Sequence, residues 1–378
     1  MSVCGYAYAF VEMAIRQLRI KNVRNIHQQS IEFSPGLNVL GGRNGSGKTS
    51  ILEAINILGT GKSFRANQVH RVISHGEKEL LVHGKLEREN QRLLPVGVRR
   101  GREDWEIKVG SEQVKTFSVL AKQLPLMVIT PDSHKLLEAG PSWRRRYVDW
   151  GVFHVEHQFG TAWAKYSGAL KQRNALLQAE RQGASSTLEH EYWLDTLVRE
   201  GELLASFRQT YIEQLRPFVQ RYTDLLLHGH SLDVELFQGW REDISLLELL
   251  KKQTTKDRMF GYTESGPHKS DLRIRFDKKE AKSTVSRGQQ KLLVYAMRVA
   301  QIAHLYESSN KQCTLLLDDI GAELDKFKLD SMLSLVEQEF SQVILTTATP
   351  EMINIDRFSN AKLFHVEHGA VENVNFLH

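Results

Sequence analysis

The segment Gly42-Arg43-Asn44-Gly45-Ser46-Gly47-Lys48-Thr49 fits the pattern GxxxxGK[ST], whose chemistry is a grip on a nucleoside polyphosphate. Glycines let the backbone curl until its N–H groups point inward at phosphate oxygens, and the start of a following helix adds positive potential. Lys48 supplies a point charge for the β and γ phosphates, and Thr49 a hydroxyl for Mg²⁺. A pair of acids, Asp318-Asp319, ends the apolar run Cys313-Thr314-Leu315-Leu316-Leu317. Beside a phosphate loop, Asp318 is suited to hold Mg²⁺ through water, and Asp319 to orient or deprotonate the attacking water. A third group is Ser286-Arg287-Gly288-Gln289, in which Ser286 and Gln289 are spaced as the halves of a capping box. Ser286 then stands at a helix start, where free N–H groups and the positive dipole end meet. Read alone, this is an ordinary helix cap.

These groups need strands and helices to place them. The apolar residues Leu37, Val39 and Leu40 predict a strand ahead of the loop, and Ile51, Leu52, Ile55 and Leu58 predict a helix after it. The run 313–317 predicts a second strand, and Gln342-Val343-Ile344-Leu345, ending in Thr346-Thr347, a third. Parallel strands joined through helices make a doubly wound α/β sheet. From Lys48 to Ser286 is 238 residues (286 − 48), so something is inserted between the halves of the site. Within it, Trp163, Tyr166, Leu170 and Leu177, then Leu194, Leu197, Leu204, Tyr211 and Leu215, recur at helical steps on either side of a turn at 182–187. Two antiparallel helices forming a short coiled arm account for this. Trp163 and Trp193 read as packing residues. The expected division is an N-terminal extension over 1–12, an ATPase half over 13–130, a helical insertion over 131–257 and a second ATPase half over 258–378.

The 378 residues, 41% hydrophobic and 25% charged, are those of an ordinary globular protein large enough for two structural units. No run reaches the roughly 18 apolar residues of a membrane helix, and 1–11 lacks the layout of a signal peptide. Met13 opens the first strand-like segment, so 1–12 reads as a dispensable extension or a start-site artefact. Two cysteines, Cys4 and Cys313, exclude a disulfide framework and point to a reducing cytoplasm. A net charge of +5 permits nucleic-acid binding without demanding it. Basic clusters stand at Arg99-Arg100-Arg102, Arg144-Arg145-Arg146, Lys251-Lys252 with Lys256 and Arg258, and Lys278-Lys279. Each reads either as solvated surface or as a phosphate contact.

Taken in order, phosphate loop, S-x-G-Q, apolar strand with two acids and then Glu323-Leu324-Asp325 resemble the ABC ATPases, whose signature is usually written LSGGQ. That resemblance implies a head-to-tail homodimer with ATP sandwiched between subunits, Ser286, Gly288 and Gln289 of one copy facing the nucleotide held by Lys48 of the other. An ABC head interrupted by a helical lobe resembles the SMC-type ATPases of DNA maintenance. The finer similarity is to the RecF family. It rests on Lys21-Asn22-Val23-Arg24-Asn25, the loop 42–49, Leu52-Glu53-Ala54-Ile55, Gly61-Lys62-Ser63-Phe64-Arg65, Arg144-Arg145-Arg146, Gly266-Pro267-His268, Ser286 to Lys291, and Asp318-Asp319. The resemblance implies ATP and Mg²⁺ as cofactors and weak, DNA-dependent ATP hydrolysis. It further implies binding to double-stranded DNA beside single-stranded gaps, partnership with RecR and, in the same pathway, RecO, and recombinase loading in repair, replication and the SOS response. Three departures stand out: Arg287 replaces the second signature glycine, Thr346-Thr347 stand where many ABC ATPases place a histidine, and Asp319 replaces the commoner glutamate. They point to slow hydrolysis, a switch rather than an engine.

Three other readings compete. A transporter ATPase subunit would need a membrane partner and a short gap between loop and signature. A nuclease with this head would need a further acidic metal site, and only about thirty residues follow Leu345. A non-hydrolysing scaffold has no use for Asp318 and Asp319 together.

Overall fold

The structure is a computed structural model that describes residues 14–88, 92–182, 187–319, 329, 332–335, 342–358 and 360–374. The expected extension over 1–12, the residues 183–186 of the expected turn and Glu323-Leu324-Asp325 lie outside the described residues. The chain forms two compact units, one from the segments up to Ser133 and from Asn310 onward, the other from His134–Ser309.

Among the described residues, the first unit holds two six-stranded sheets. One runs Ala370–Val374, Ala361–Glu367, Leu37–Gly41, Gln342–Thr347, Thr314–Leu317, Leu126–Ile129 in spatial order. All its pairings are parallel except that of the edge strand Ala370–Val374. The register aligns Leu317 with Leu345 and with Ile129, and Gly41 with Thr347, so the carboxyl ends of four parallel strands come together. That is where an open α/β sheet binds ligands. The other sheet is antiparallel throughout and is built from Ile26–Glu32, Ala14–Val23, Leu80–Arg88, Arg92–Arg100, Trp105–Val109 and Glu112–Val114. Its strands are one-sided: Leu80, Val82, Gly84 and Leu86 alternate inward along one of them.

Between the sheets lies the helix Lys48–Thr60, which touches strands of both. Its periodicity predicts one apolar face, yet Ala54 and Ile57 are buried as completely as Ile51 and Leu58. The second sheet is the reason, because it covers the side of the helix that the first leaves open. The approach is close at Gly84, where a Cβ would stand 2.5 Å from a methyl of Leu58. Gln342 ties the layers with a buried side chain: its amide donates to the carbonyls of Ile15 (2.9 Å) and Ser34 (2.8 Å), and its Oε1 accepts from the Ile15 N–H (2.9 Å). Buried polar groups satisfied in this way specify one alignment of the layers.

The second unit contains the expected arm. Helices Phe159–Arg181 and Thr187–Leu226 pack together, and ion pairs Glu180–His190 (2.9 Å) and Lys165–Glu200 (3.8 Å) show the antiparallel register. A three-stranded antiparallel sheet, Lys279–Glu280, Asp271–Phe276, Leu232–Phe237, accompanies it. The unit's C-terminal boundary falls at Ser309, whereas the sequence places the return to the ATPase at 258. The helix Arg287–Ser309 accounts for the difference. Its Met297 carbonyl accepts from Tyr147 Oη (2.9 Å), and its Gln301 amide donates to the Tyr147 carbonyl (2.8 Å) and Tyr211 Oη (3.1 Å). These buried bonds tie it to the helices Pro141–Val155 and Thr187–Leu226.

The turn Gly266-Pro267-His268 is pinned from several sides. His268 bonds Tyr166 Oη through Nδ1 (2.6 Å) and the Thr263 carbonyl through Nε2 (3.0 Å), and Arg208 donates to the Pro267 carbonyl (2.8 Å). Burial pushes the His268 imidazole down to about 4, against the Thr263 bond, which favours its charged form. Between pH 6.5 and 4 the unfolded chain therefore binds the extra proton, and stability falls as the pH drops through that window. Denaturant titrations at pH 7 and 5 are expected to show a loss of about 2 kcal/mol from this residue, and His268→Gln should flatten that part of the profile.

Candidate nucleotide site

The phosphate loop leaves the strand Leu37–Gly41 through three glycines with left-handed φ: Gly42 (155°), Gly45 (81°) and Gly47 (117°). At Gly42 a Cβ would lie 2.3 Å from the Val366 carbonyl oxygen, so space as well as φ requires glycine. Lys48, nearly buried, donates to the carbonyls of Gly42 and Arg43 and so closes over the loop. Burial lowers its pKa, while the negative charges of Asp319 and Asp318 oppose the shift. Ser46 packs behind the loop, its carbonyl accepting from Gly369 N–H (2.7 Å).

The strand Thr314–Leu317 delivers the acids as predicted. Asp318 Oδ1 accepts from Thr49 Oγ1 (2.8 Å) and from Thr346 Oγ1 (3.0 Å), joining the loop, the acidic strand and the strand Gln342–Thr347 at one atom. Burial raises the pKa of Asp318, and the bonds from Thr49 and Thr346 counter it. Asp319 has a left-handed φ of 52°, unusual outside glycine, and its N–H donates to Thr346 Oγ1 (2.8 Å). The cavity in front of these groups, about 490 Å³, is lined by Asn44, Gly45, Gly47, Lys48, Thr49, Asp318 and Asp319, with Asn25, Phe64, Arg65, Thr130, Asp132 and Thr346.

Thr49 and Asp318 offer hard oxygen donors 2.8 Å apart beside a phosphate cradle. A hydroxyl and one carboxylate suit Mg²⁺, which keeps most of its shell for water and phosphate oxygens. A partly desolvated carboxylate whose pKa is raised gains from a cation.

Four contributions escaped the motif reading. Asn25 accepts from Ser50 Oγ (2.8 Å) beside the loop. Phe64 and Arg65 reach the cavity on a turn whose Ser63 hydroxyl donates to Glu53 and accepts from the N–H groups of Arg65 (3.0 Å) and Ala66 (2.7 Å). Glu53 is fully buried on the loop helix and also holds Arg24 through two bonds (2.9 and 3.1 Å). Arg24, Asn25, Glu53 and the stretch 61–65 all fall in the segments that carry the family resemblance, which was the available signal. The fourth is Thr346. At the position near which many ABC ATPases carry histidine, this buried hydroxyl positions both acids at once. Thr346→Val, which keeps the shape, is expected to lower kcat for ATP hydrolysis about tenfold to a hundredfold, the worth of a charge-assisted hydrogen bond. Nucleotide affinity should change far less, and Thr346→Ser should retain turnover; steady-state phosphate release checks both.

Ser286, Gly288 and Gln289 belong to the second unit. The capping box forms as predicted: Ser286 N–H donates to Gln289 Oε1 (2.9 Å) and Gln289 N–H to Ser286 Oγ (3.3 Å). Ser286 is exposed, and a Cβ placed on Gly288 would meet nothing within 4 Å. This chain's own packing thus does not demand a glycine there.

Three arginines of two basic clusters have partners within the fold. Arg144 holds Asp271 through two bonds (2.7 and 2.9 Å), and Arg145 donates to the Ser270 carbonyl (2.7 Å). Arg99 is shared among Glu79, Asp104 and Glu106. Cys313 is buried, as its place in a strand run predicts, and Trp163 packs with Tyr166 and lies under Arg208.

Residues 14–372 match the family described as the RecF/RecN/SMC N terminal domain. The chain is 40% identical over 362 residues to the DNA replication and repair protein RecF of Vibrio parahaemolyticus, covering 96% of this chain and 100% of that one. It is 38% identical over 360 residues to the protein of the same name from Aliivibrio fischeri strain MJ11, covering 95% and 99%. Among solved structures, the recombination mediator protein RecF bound to ATP aligns with a TM-score of 0.88 at 22% identity, covering 98% of this chain and 100% of that one. The Smc head domain of Pyrococcus furiosus, bound to the C-terminal domain of ScpA, aligns at 0.57 and 16%, covering 96% of each chain. The fold is accordingly that of an ABC/SMC-type ATPase head, and the transporter-subunit alternative falls.

Proposed function

Because the chain belongs to the RecF family, we propose that it is an ATP-switched recombination mediator that binds duplex DNA beside single-stranded gaps. The carrying observation is the meeting of Thr49, Asp318 and Thr346 at one carboxylate oxygen, with Lys48 across the same cavity. Such a constellation binds a nucleoside triphosphate and is equipped to cleave it. The loop N–H groups and Lys48 hold the phosphates, and Asp319 orients the attacking water. Thr49 and Asp318 would hold Mg²⁺, which would supply charge neutralisation at the phosphate oxygens. ATP is the nucleotide in the RecF complex whose fold this chain shares.

In this reading two copies close on ATP, the exposed helix start at Ser286 of each completing the partner's site. The open face of Gly288 leaves room for a nucleotide presented by another molecule. Hydrolysis is slow and DNA-dependent, and it releases the dimer. RecR, with RecO in the same pathway, is the expected partner in loading recombinase in the cytoplasm during repair, replication and the SOS response. The test is binding of a gapped duplex by the full chain with ATP and with ADP. ATP is expected to tighten binding at least tenfold, with affinity falling steeply as salt rises. Equal affinity with both nucleotides contradicts the switch.

A further inference from the structure

The helix Thr254–Phe260 and the residues after it leave three large apolar side chains in solvent: Met259 is 66% exposed, Tyr262 43% and Phe260 39%. Their backbone is firmly anchored. Fully buried Asp257 accepts from Arg173 (2.8 Å) and from the Glu264 N–H (3.1 Å), and Arg173 also donates to Thr263 Oγ1. The Thr263 N–H and hydroxyl both donate to Asn174 Oδ1 at 2.8 Å. Between these anchors Gly261 takes a left-handed φ of 77° to end the helix. A buried ion pair is a demanding way to fix a turn, and this one fixes two aromatic rings in water.

The rings of Phe260 and Tyr262 stack with centroids 5.8 Å apart and planes 23° from parallel. Lys256 Nζ lies 5.8 Å from the centre of the Phe260 ring, and Lys269 Nζ 5.5 Å from that of Tyr262. Arg258 stands on the same helix. Lys256 pairs with Glu264 at a half-exposed site, where such pairs are weak and a phosphate can replace the carboxylate, and Arg258 pairs with the more buried Glu180. The patch thus combines partly exposed aromatic surface with ammonium groups on flexible stems over it, which a stacked base would displace toward its own phosphates.

We propose that Phe260 and Tyr262 form a stacking platform for unpaired bases of single-stranded DNA, whose phosphates are met by Lys256, Arg258 and Lys269. Each base offers a π face at every nucleotide and each linkage an anion, which is the repeating chemistry the patch matches. A protein partner that buried the rings in an apolar pocket would strand the lysines that sit on them. The platform lies in the second unit and gives the single-stranded half of a gapped duplex its own contact, under the reading proposed above.

The test measures binding of the full chain, with ATP, to a labelled dT oligomer, a gapped duplex and a blunt duplex of equal length. The variants are Phe260→Ala with Tyr262→Ala, and the ring-retaining exchange Phe260→Tyr with Tyr262→Phe. The alanine pair is expected to weaken the oligomer and the gapped duplex about tenfold or more, the worth of at least one stacked base. Blunt-duplex affinity should stay within about twofold, which also shows that the variant is folded, and the exchange should bind as wild type. Unchanged oligomer binding by the alanine pair overturns the platform, as does an equal loss on blunt and gapped duplex. If wild type binds no duplex with ATP, the proposed function itself fails. If wild type binds the gapped duplex with ATP but ignores the oligomer, the platform fails and ATP-dependent duplex binding stands.

Discussion

With Lys48→Ala, ATP turnover is expected to fall by about 10²–10³, the usual cost of deleting one preorganised charge at a reacting phosphate, and ATP-induced dimers should disappear. In the structure Lys48 is the cation that satisfies the Gly42 and Arg43 carbonyls and faces Asp318 and Asp319 across the cavity. Without it two carbonyls lose their donor, and two acids stand opposite a triphosphate with less positive charge between them. Phosphate release and titration with a fluorescent ATP analogue check the two parts of this expectation. Full turnover in the variant would mean that the loop does not hold the reacting phosphate.

The largest expected effect on stability is at Arg208. It is 1% exposed, grips Asp149 through two bonds (2.8 and 3.1 Å), and donates to the Pro267 carbonyl and to Ser270 Oγ. Removing one member of such a pair leaves the other charge stranded, so Arg208→Ala should cost about 3–5 kcal/mol. The deficit depends on pH. Burial already raises the pKa of Asp149, and Arg208 is the chief influence holding it down. Without the guanidinium the folded-state pKa rises further above the unfolded value, and the folded protein then gains stability by taking up a proton as the pH falls through it. The deficit should therefore be larger at pH 7 than at pH 5 in denaturant titrations. Arg208→Met with Asp149→Leu, which removes both charges, should recover most of the loss.

What the sequence reveals here follows how local each feature is. The phosphate loop, the strand that ends in Asp318 and the Ser286–Gln289 capping box depend on residues within a few positions of one another, and each forms as its spacing predicts. The arm is legible for the same reason, since helical periodicity is a local signal. The antiparallel sheet over the loop helix is not read from the sequence: most of its pairings join strands that follow one another in the chain, but its closure over the helix depends on the long-range pairing of Ala14–Val23 with Leu80–Arg88 and on ties such as Ile15 to Gln342 across 327 residues. Thr346 and Asn25 reach the site by the same long-range route; resemblance to known families marks their positions, but nothing in their immediate neighbours shows what the hydroxyl and the amide bond to. The boundary at Ser309 depends on Tyr147 and Gln301, buried partners far apart in sequence. Arg144 and Arg145 show the converse: a basic run suggests phosphate, whereas their partners, Asp271 and the Ser270 carbonyl, appear only in the fold.

All of the functional reading depends on a serine-capped helix start that completes a nucleotide pocket in a second copy of the chain. Sedimentation of wild type and Ser286→Ala, each with and without ATP, addresses it directly. Wild type should shift from monomer to dimer only with ATP, while Ser286→Ala binds ATP and remains a monomer. Dimers of Ser286→Ala equal to those of wild type, or an ATP-saturated wild type that stays monomeric even with DNA, would contradict it.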